Sequence, residues 1–159
     1  MKPKIGVVGL GGVGGYLAGM LTRTEAEVTV VARGERFRAI SEKGIVLHSD
    51  LSGESITRPA KVVADAKDLT EQDFLFICVK NYSLEDLLPR LSGAVGEHTI
   101  ILPVMNGIDP WDRVRKGISL GAVVKCVIYP KIESVLAIHA PAPQNRGEPP
   151  LFSVCSAPT

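Results

Sequence analysis

Net charge, clustered histidine or cysteine, and an uninterrupted apolar run are all missing from this chain, and each shortage closes off a class of function. The formal net charge is +1 over 159 residues, with Lys and Arg scattered. That rules against the basic surface that nucleic acid or an anionic membrane demands. His48, His98 and His139 stand too far apart to suggest a metal site or a Ser-His-Asp set. Cys78, Cys126 and Cys155 show no zinc or redox spacing. Cys78 lies in an apolar run and reads as a small buried hydrophobe. A reducing cytoplasm is the compartment this cysteine usage suggests, and there the sequon Asn81-Tyr82-Ser83 has no meaning. No Walker lysine motif and no internal repeat is present. Lys2 and Lys4 before the run from Ile5 to Leu21 imitate a leader peptide. Gly6, Gly9, Gly11, Gly12, Gly14, Gly15 and Gly19 interrupt that run, which suits a nucleotide loop better than a hydrophobic segment. No apolar stretch is long enough to span a bilayer.

What is present is the composition of one ordinary globular domain, 45% hydrophobic and 22% charged. Along the chain, strand and helix signals alternate. Lys4 to Val8 reads as a buried strand, Val13 to Leu21 as a helix, Val28 to Ala32 as a second strand and Glu35 to Lys43 as a helix stopped by Gly44. Ile45 to Leu47 and Glu54 to Thr57 flank a turn and read as a hairpin. Val62-Val63 is a short strand, and Asp73 to Val79 is the clearest buried one. Leu84, Leu87, Leu88 and Leu91 mark an amphipathic helix that Ser83 is placed to cap. Thr99 to Leu102 is a strand, Asp109-Pro110-Trp111 opens a helix, and Val123 to Tyr129 closes the series. This alternation predicts an α/β fold with a doubly wound parallel sheet.

The chemistry is concentrated in Gly9-Leu10-Gly11-Gly12-Val13-Gly14, a G-x-G-x-x-G that follows a strand and opens a helix. In that context the first glycine makes a tight turn, the second admits a pyrophosphate to the backbone, and the third lets helix and strand pack closely. The helix terminus contributes N–H donors and partial positive charge. The second strand ends in Val31-Ala32-Arg33-Gly34, without the acid that would take a ribose 2′-hydroxyl. Arg33 offers instead a planar cation suited to a 2′-phosphate, which points to NADP(H). Glu35 either reaches the ribose or serves the first helical turn. Arg36 and Arg38 read as a solvated helix face. Lys80 stands at the carboxyl end of a central strand, where open α/β sheets bind ligands. Asn106-Gly107 follows the next central strand and, from the residues alone, is a turn.

The chain resembles the N-terminal, NADP-binding domain of the ketopantoate reductase (2-dehydropantoate 2-reductase) family. The resemblance rests on the glycine motif together with Val31-Ala32-Arg33-Gly34, Phe76-Ile77-Cys78-Val79-Lys80-Asn81-Tyr82 and Leu102-Pro103-Val104-Met105-Asn106-Gly107. It implies a Rossmann-type sheet and NADPH-dependent reduction of a 2-oxoacid, 2-dehydropantoate to pantoate in pantothenate synthesis. It also implies roles for Lys80 near the nicotinamide and for Asn106 in holding cofactor and substrate. In that family the general acid is a lysine on a helical second domain, largely absent here. Residues 1–134 are therefore expected to be the NADP-binding Rossmann domain and residues 135–159 an irregular, Pro-rich tail. A truncated or frameshifted reading frame, or a domain fragment with a foreign tail, would each produce such an end. The expected partners are a small 2-oxoacid and a second copy of the chain. The competing readings are a non-catalytic dinucleotide-binding fragment and a related opine or glycerol-phosphate dehydrogenase.

Overall fold

Strand β1 (Lys4–Val8) is buried at every position after Lys4. A strand apolar on both faces needs cover on both faces, and the chain supplies it. In the computed structural model, which describes residues 1–49, 53–107 and 109–126, β1 leads into α1 (Gly12–Leu21), β2 (Glu27–Val31) and α2 (Gly34–Lys43). The hairpin β3 (Ile45–Ser49) and β4 (Gly53–Thr57) follows, then β5 (Lys61–Val63), β6 (Phe74–Ile77), α3 (Leu84–Leu87), β7 (Ile100–Pro103), α4 (Pro110–Gly117) and β8 (Ala122–Val123).

Six strands form one sheet in the order β5-β2-β1-β6-β7-β8, every pairing parallel. Val8 pairs with Val31 on one side and Ile77 on the other, so three strands end level. The order runs outward in one direction from β1 and in the other from β6. The reversal lies between these two strands, and a crevice opens beyond the carboxyl ends of strands at such a point. This is the doubly wound Rossmann arrangement expected of the sequence.

Alternation along each strand divides the core into two layers. Val8, Val31, Leu75 and Ile77 face the layer that holds Leu84, Leu87, Leu88, Leu91 and Val114. Val7, Val28 and Val30 face the layer of Ala18, Ile40, Ile45 and Leu47. Helix α1 buries only small residues, Gly14, Gly15, Ala18 and Gly19, and so lies close on the sheet. Gly44 ends α2 with φ +85, a conformation that favours glycine, and its N–H closes the helix on Ile40 O.

Four expectations need correction. The segment from Ser83 to Leu91 is not one helix: a single α-turn at Leu84–Leu87 lies between 3-10 turns at Asn81–Ser83 and Leu88–Leu91. Pro89 has no N–H for a helical bond to the residue four back and its ring crowds that carbonyl, so the backbone tightens while all four leucines stay buried. Neither Ser83 nor Asp109 makes a side-chain cap bond, although both stand at the positions expected for caps. The β6 strand is shorter at both ends than the apolar run from Asp73 to Val79. The strand expected over Val123 to Tyr129 appears as Ala122–Val123, and its far end lies outside the described residues, as does the expected tail.

Thr99 fastens the start of β7 to its surroundings. Its fully buried hydroxyl donates to Gln72 O at 2.7 Å and accepts from Gly96 N at 2.9 Å. Thr99→Val keeps the shape and strands a buried donor and acceptor. It should cost about 2–4 kcal/mol in urea unfolding, whereas Thr99→Ser should cost about half of that or less.

Candidate functional site

The glycine loop sits on the seam between β1 and β6. Gly9 has φ +93, and a Cβ there would lie 2.7 Å from the Cys78 carbonyl. A Cβ at Gly14 would lie 1.9 Å from Gly9 O and 2.8 Å from Cys78 Cβ. These two glycines are demanded by the chain's own packing. Gly11 and Gly12 are different: a Cβ at either would meet nothing within 4 Å. The open space over them is what close approach of a phosphate to the backbone requires. Gly11 caps α1, and the first turn contains no acidic residue to offset the helix's positive end. Gly15 N donates to Gly11 O at 2.8 Å, so the N–H groups ahead of it, including those of Gly12 and Val13, have no acceptor within the helix.

A cleft of about 920 Å³ opens beside this loop. Val8, Gly9 and Leu10 form its floor. Val31, Ala32, Arg33, Glu35 and Arg36 form one wall, and Val79, Ser83, Asp86, Leu87 and Arg90 the other. Arg33 is exposed at the tip of β2, at the N-cap of α2. Arg36, expected to be a solvated face, instead lines the cleft and donates to Leu10 O at 2.8 Å. Arg38 is exposed, as expected. Arg90 forms a two-pronged ion pair with Asp65. The Arg90 guanidinium, with the Lys67 backbone N–H, holds the Asp65 carboxyl below its ordinary range. Ser83 and Arg36 are the lining residues that the sequence misassigned: their periodicity spoke for a cap and a helix surface, and only the fold brings them together.

Lys80 and Asn106 are not among these lining residues; they stand in the loops just after β6 and β7, Lys80 next to the lining residue Val79. Both are exposed, and the Lys80 ammonium lies 5.9 Å from the Tyr82 ring centre. The side chain of Asn81 joins their two loops, donating to Asn106 O at 2.7 Å. Arg113 of α4 donates to Asn81 O at 3.0 Å and grips Glu85 with two further bonds. That ion pair lowers the Glu85 carboxyl and raises the Arg113 guanidinium. Lys125 stacks over Trp111, whose indole N–H donates to Val123 O at 2.9 Å.

Among the described residues no group of His, Cys, Asp and Glu gathers into a metal site, and no helix of the structure is long and apolar enough to cross a membrane. Cys78 packs beneath the glycine loop, where burial, aided by nearby Cys126, pushes its thiol up to about 12.

Fold and loop define a dinucleotide-binding Rossmann domain. The family model for ketopantoate reductase PanE/ApbA matches residues 5–137, and the chain belongs to that family of dinucleotide-binding reductases. It is 29% identical over 151 residues to the 2-dehydropantoate 2-reductase of Mesorhizobium japonicum, covering 82% of this chain and 46% of that protein. It is 32% identical over 104 residues to the 2-dehydropantoate 2-reductase of Listeria monocytogenes, covering 65% of this chain and 35% of that protein. Among solved structures, the 2-dehydropantoate 2-reductase of Porphyromonas gingivalis superposes with a TM-score of 0.73 at 32% identity, covering 81% of this chain and 47% of that one. The chain thus spans about half the length, or less, of these relatives.

Two outcomes separate the glycines. Gly11→Val should fold with a loss of about 1 kcal/mol or less yet bind no dinucleotide in calorimetric titration. Gly14→Ala should lose about 3 kcal/mol or more, since backbone rather than a flexible side chain stands in the way. Cys78 yields a pH test. Its raised value leaves about one thiolate in ten thousand at pH 8. Iodoacetamide should therefore label it only after denaturation, as read by peptide mass. The sign for stability follows from the same shift. The folded thiol holds its proton above the pH at which the unfolded one, near 9, has lost it. Its contribution is whole below pH 9 and fades as pH climbs towards 12.

Proposed function

We propose that this chain is the cofactor-binding half of an NADPH-dependent 2-oxoacid reductase, with 2-dehydropantoate as substrate and pantoate as product. The observation that carries the reading is the open space over Gly11 and Gly12, which directly follow Gly9 and Leu10 of a cleft that also takes in Arg33. Gly9, Leu10, Gly11, Gly12, Val13 and Gly14 would cradle the pyrophosphate against the start of α1, the donors there meeting negative charge without an opposing acid. Arg33, at the strand tip, would take the 2′-phosphate in a charge-assisted contact. When bound, the cofactor supplies a hydride for a keto carbon.

Lys80 and Asn106 would hold the nicotinamide end and the substrate. Asn106 has a side-chain amide able to give and accept hydrogen bonds, and its backbone carbonyl is tethered by Asn81. Lys80 adds positive charge at the sheet's carboxyl edge, opposite to that of an oxoacid. The general acid is assigned, from the family pattern, to a helical second domain, with residues 1–134 forming the NADP-binding unit and residues 135–159 a tail apart from it. A cytoplasmic homodimer completes the proposal.

Arg33→Ala should weaken NADPH by about 1–3 kcal/mol in calorimetric titration and leave NADH nearly unchanged; equal losses would remove the 2′-phosphate assignment. The 159-residue chain itself should oxidise NADPH negligibly with ketopantoate, because losing general acid catalysis typically costs about 100- to 10,000-fold. Turnover near about one per second, within the ordinary enzyme range, would place the acid within this chain, with Lys125, Lys131 and His139 the first candidates.

A further inference from the structure

Arg36 belongs to α2, yet it reaches the glycine loop. Its Nη1 donates to Leu10 O at 2.8 Å across 26 positions of sequence. Leu10 stands between Gly9 and Gly11, and its side chain is buried in the core. The loop is thus held by an apolar anchor at its side chain and by a cation at its carbonyl. The cation matters because of where that carbonyl is. An oxygen dipole beside an anion-binding backbone opposes the anion, and a guanidinium placed on it reverses the local sign. Arg36 lines the same cleft as Gly9 and Arg33.

We propose that Arg36 is a positioning residue for the pyrophosphate of a bound dinucleotide: its charge, fixed on the Leu10 carbonyl, sets the conformation and potential of the glycine loop irrespective of any 2′-phosphate. The inference rests on the cofactor reading above. It divides the labour of α2 between two arginines, with Arg33 choosing between cofactors and Arg36 serving both.

The test is calorimetric titration of the 159-residue chain with NADPH and with NADH at low and high salt, for the wild type and for Arg36→Met, Arg36→Lys and Arg36→Gln. Thermal melting without nucleotide reports that each variant is folded. Arg36→Met should weaken both dinucleotides by the same factor, about tenfold or more. Arg36→Lys should recover much of the loss. Arg36→Gln, which keeps a donor for Leu10 but no charge, should not. The gap between wild type and Arg36→Met should narrow as salt rises, since a half-buried charge bordering a cleft is still partly screened; a residue that only props up the fold would show no such narrowing. Loss confined to NADPH, equal recovery by Gln and Lys, or no loss at all would each overturn the inference while leaving the cofactor reading intact. If Arg36→Met does not fold, the Lys and Gln variants decide between charge and hydrogen bond. A wild type that binds neither dinucleotide would overturn the cofactor reading, and this inference with it.

Discussion

The contact between Gly14 and the Gly9 carbonyl sets the position of α1, and the rest of the site depends on it. A single methyl group at Gly14 would stand 1.9 Å from that oxygen, so the helix could not begin where it does. With both glycines present, α1 starts over the seam between β1 and β6, the point where the sheet's order reverses. Its N-terminus, bonded by no capping side chain, then lies at that point. The same closeness propagates outward. Gly19, further along the helix, lies against Leu47 of the β3–β4 hairpin, so the hairpin's buried residues join the layer under α1. The dense glycine run that resembles a leader peptide in the sequence is therefore a packing device spread over β1, the turn and α1, with Gly11 and Gly12 facing open space.

Charge around the cleft is arranged unevenly. Arg90 on one wall is gripped by Asp65, so its field is largely answered within the protein. On the opposite wall Arg33 stands exposed, and Arg36 lays its Nη1 on the Leu10 carbonyl. Glu35 and Asp86 also line the cleft, so its positive potential is local to the glycine loop and the tip of β2 rather than general. That pattern suits an elongated anion contacted at two points. It also fits the near-neutral chain, because a site that uses helix dipoles and two arginines needs no basic surface.

Much of the fold was legible because buried parallel strands and tight glycine turns leave strong local signatures. The β1 strand, the loop and the stop at Gly44 could be read from residue type alone. The failures have two causes, a local breaker passed over and partners distant in sequence. Pro89 should have warned that the leucines following Ser83 could not form one helix, but the leucine spacing at i, i+3, i+4 and i+7 was satisfied equally by α and 3-10 turns. Arg36 looked like a solvated helix residue because its acceptor, Leu10 O, lies 26 positions away. Asn81 showed in the sequence only as part of a sequon and of the family motif. Its bond to Asn106 O joins two strand ends that no periodicity brings together. Arg33, by contrast, stands where the sequence put it, at the tip of β2, because the order of strand and helix alone fixes that position.

The bond from Asn81 also bears on how much of the candidate site the described residues organise among themselves. The loops after β6 and β7 leave adjacent, parallel strands, and two such loops diverge unless something ties them. Here the tie is made twice within the described residues: Asn81 holds the carbonyl of Asn106, and Arg113, rising from α4, holds both the Asn81 carbonyl and Glu85. The second tie is ionic, and the hydrogen bond from Arg113 lowers the Glu85 carboxyl from its ordinary range. Lys80 and Asn106 thus stand on loops fixed to each other by this domain's own contacts. Holding the loops in place beforehand removes ordering cost from the binding step. Whatever closes on these loops meets a surface already formed.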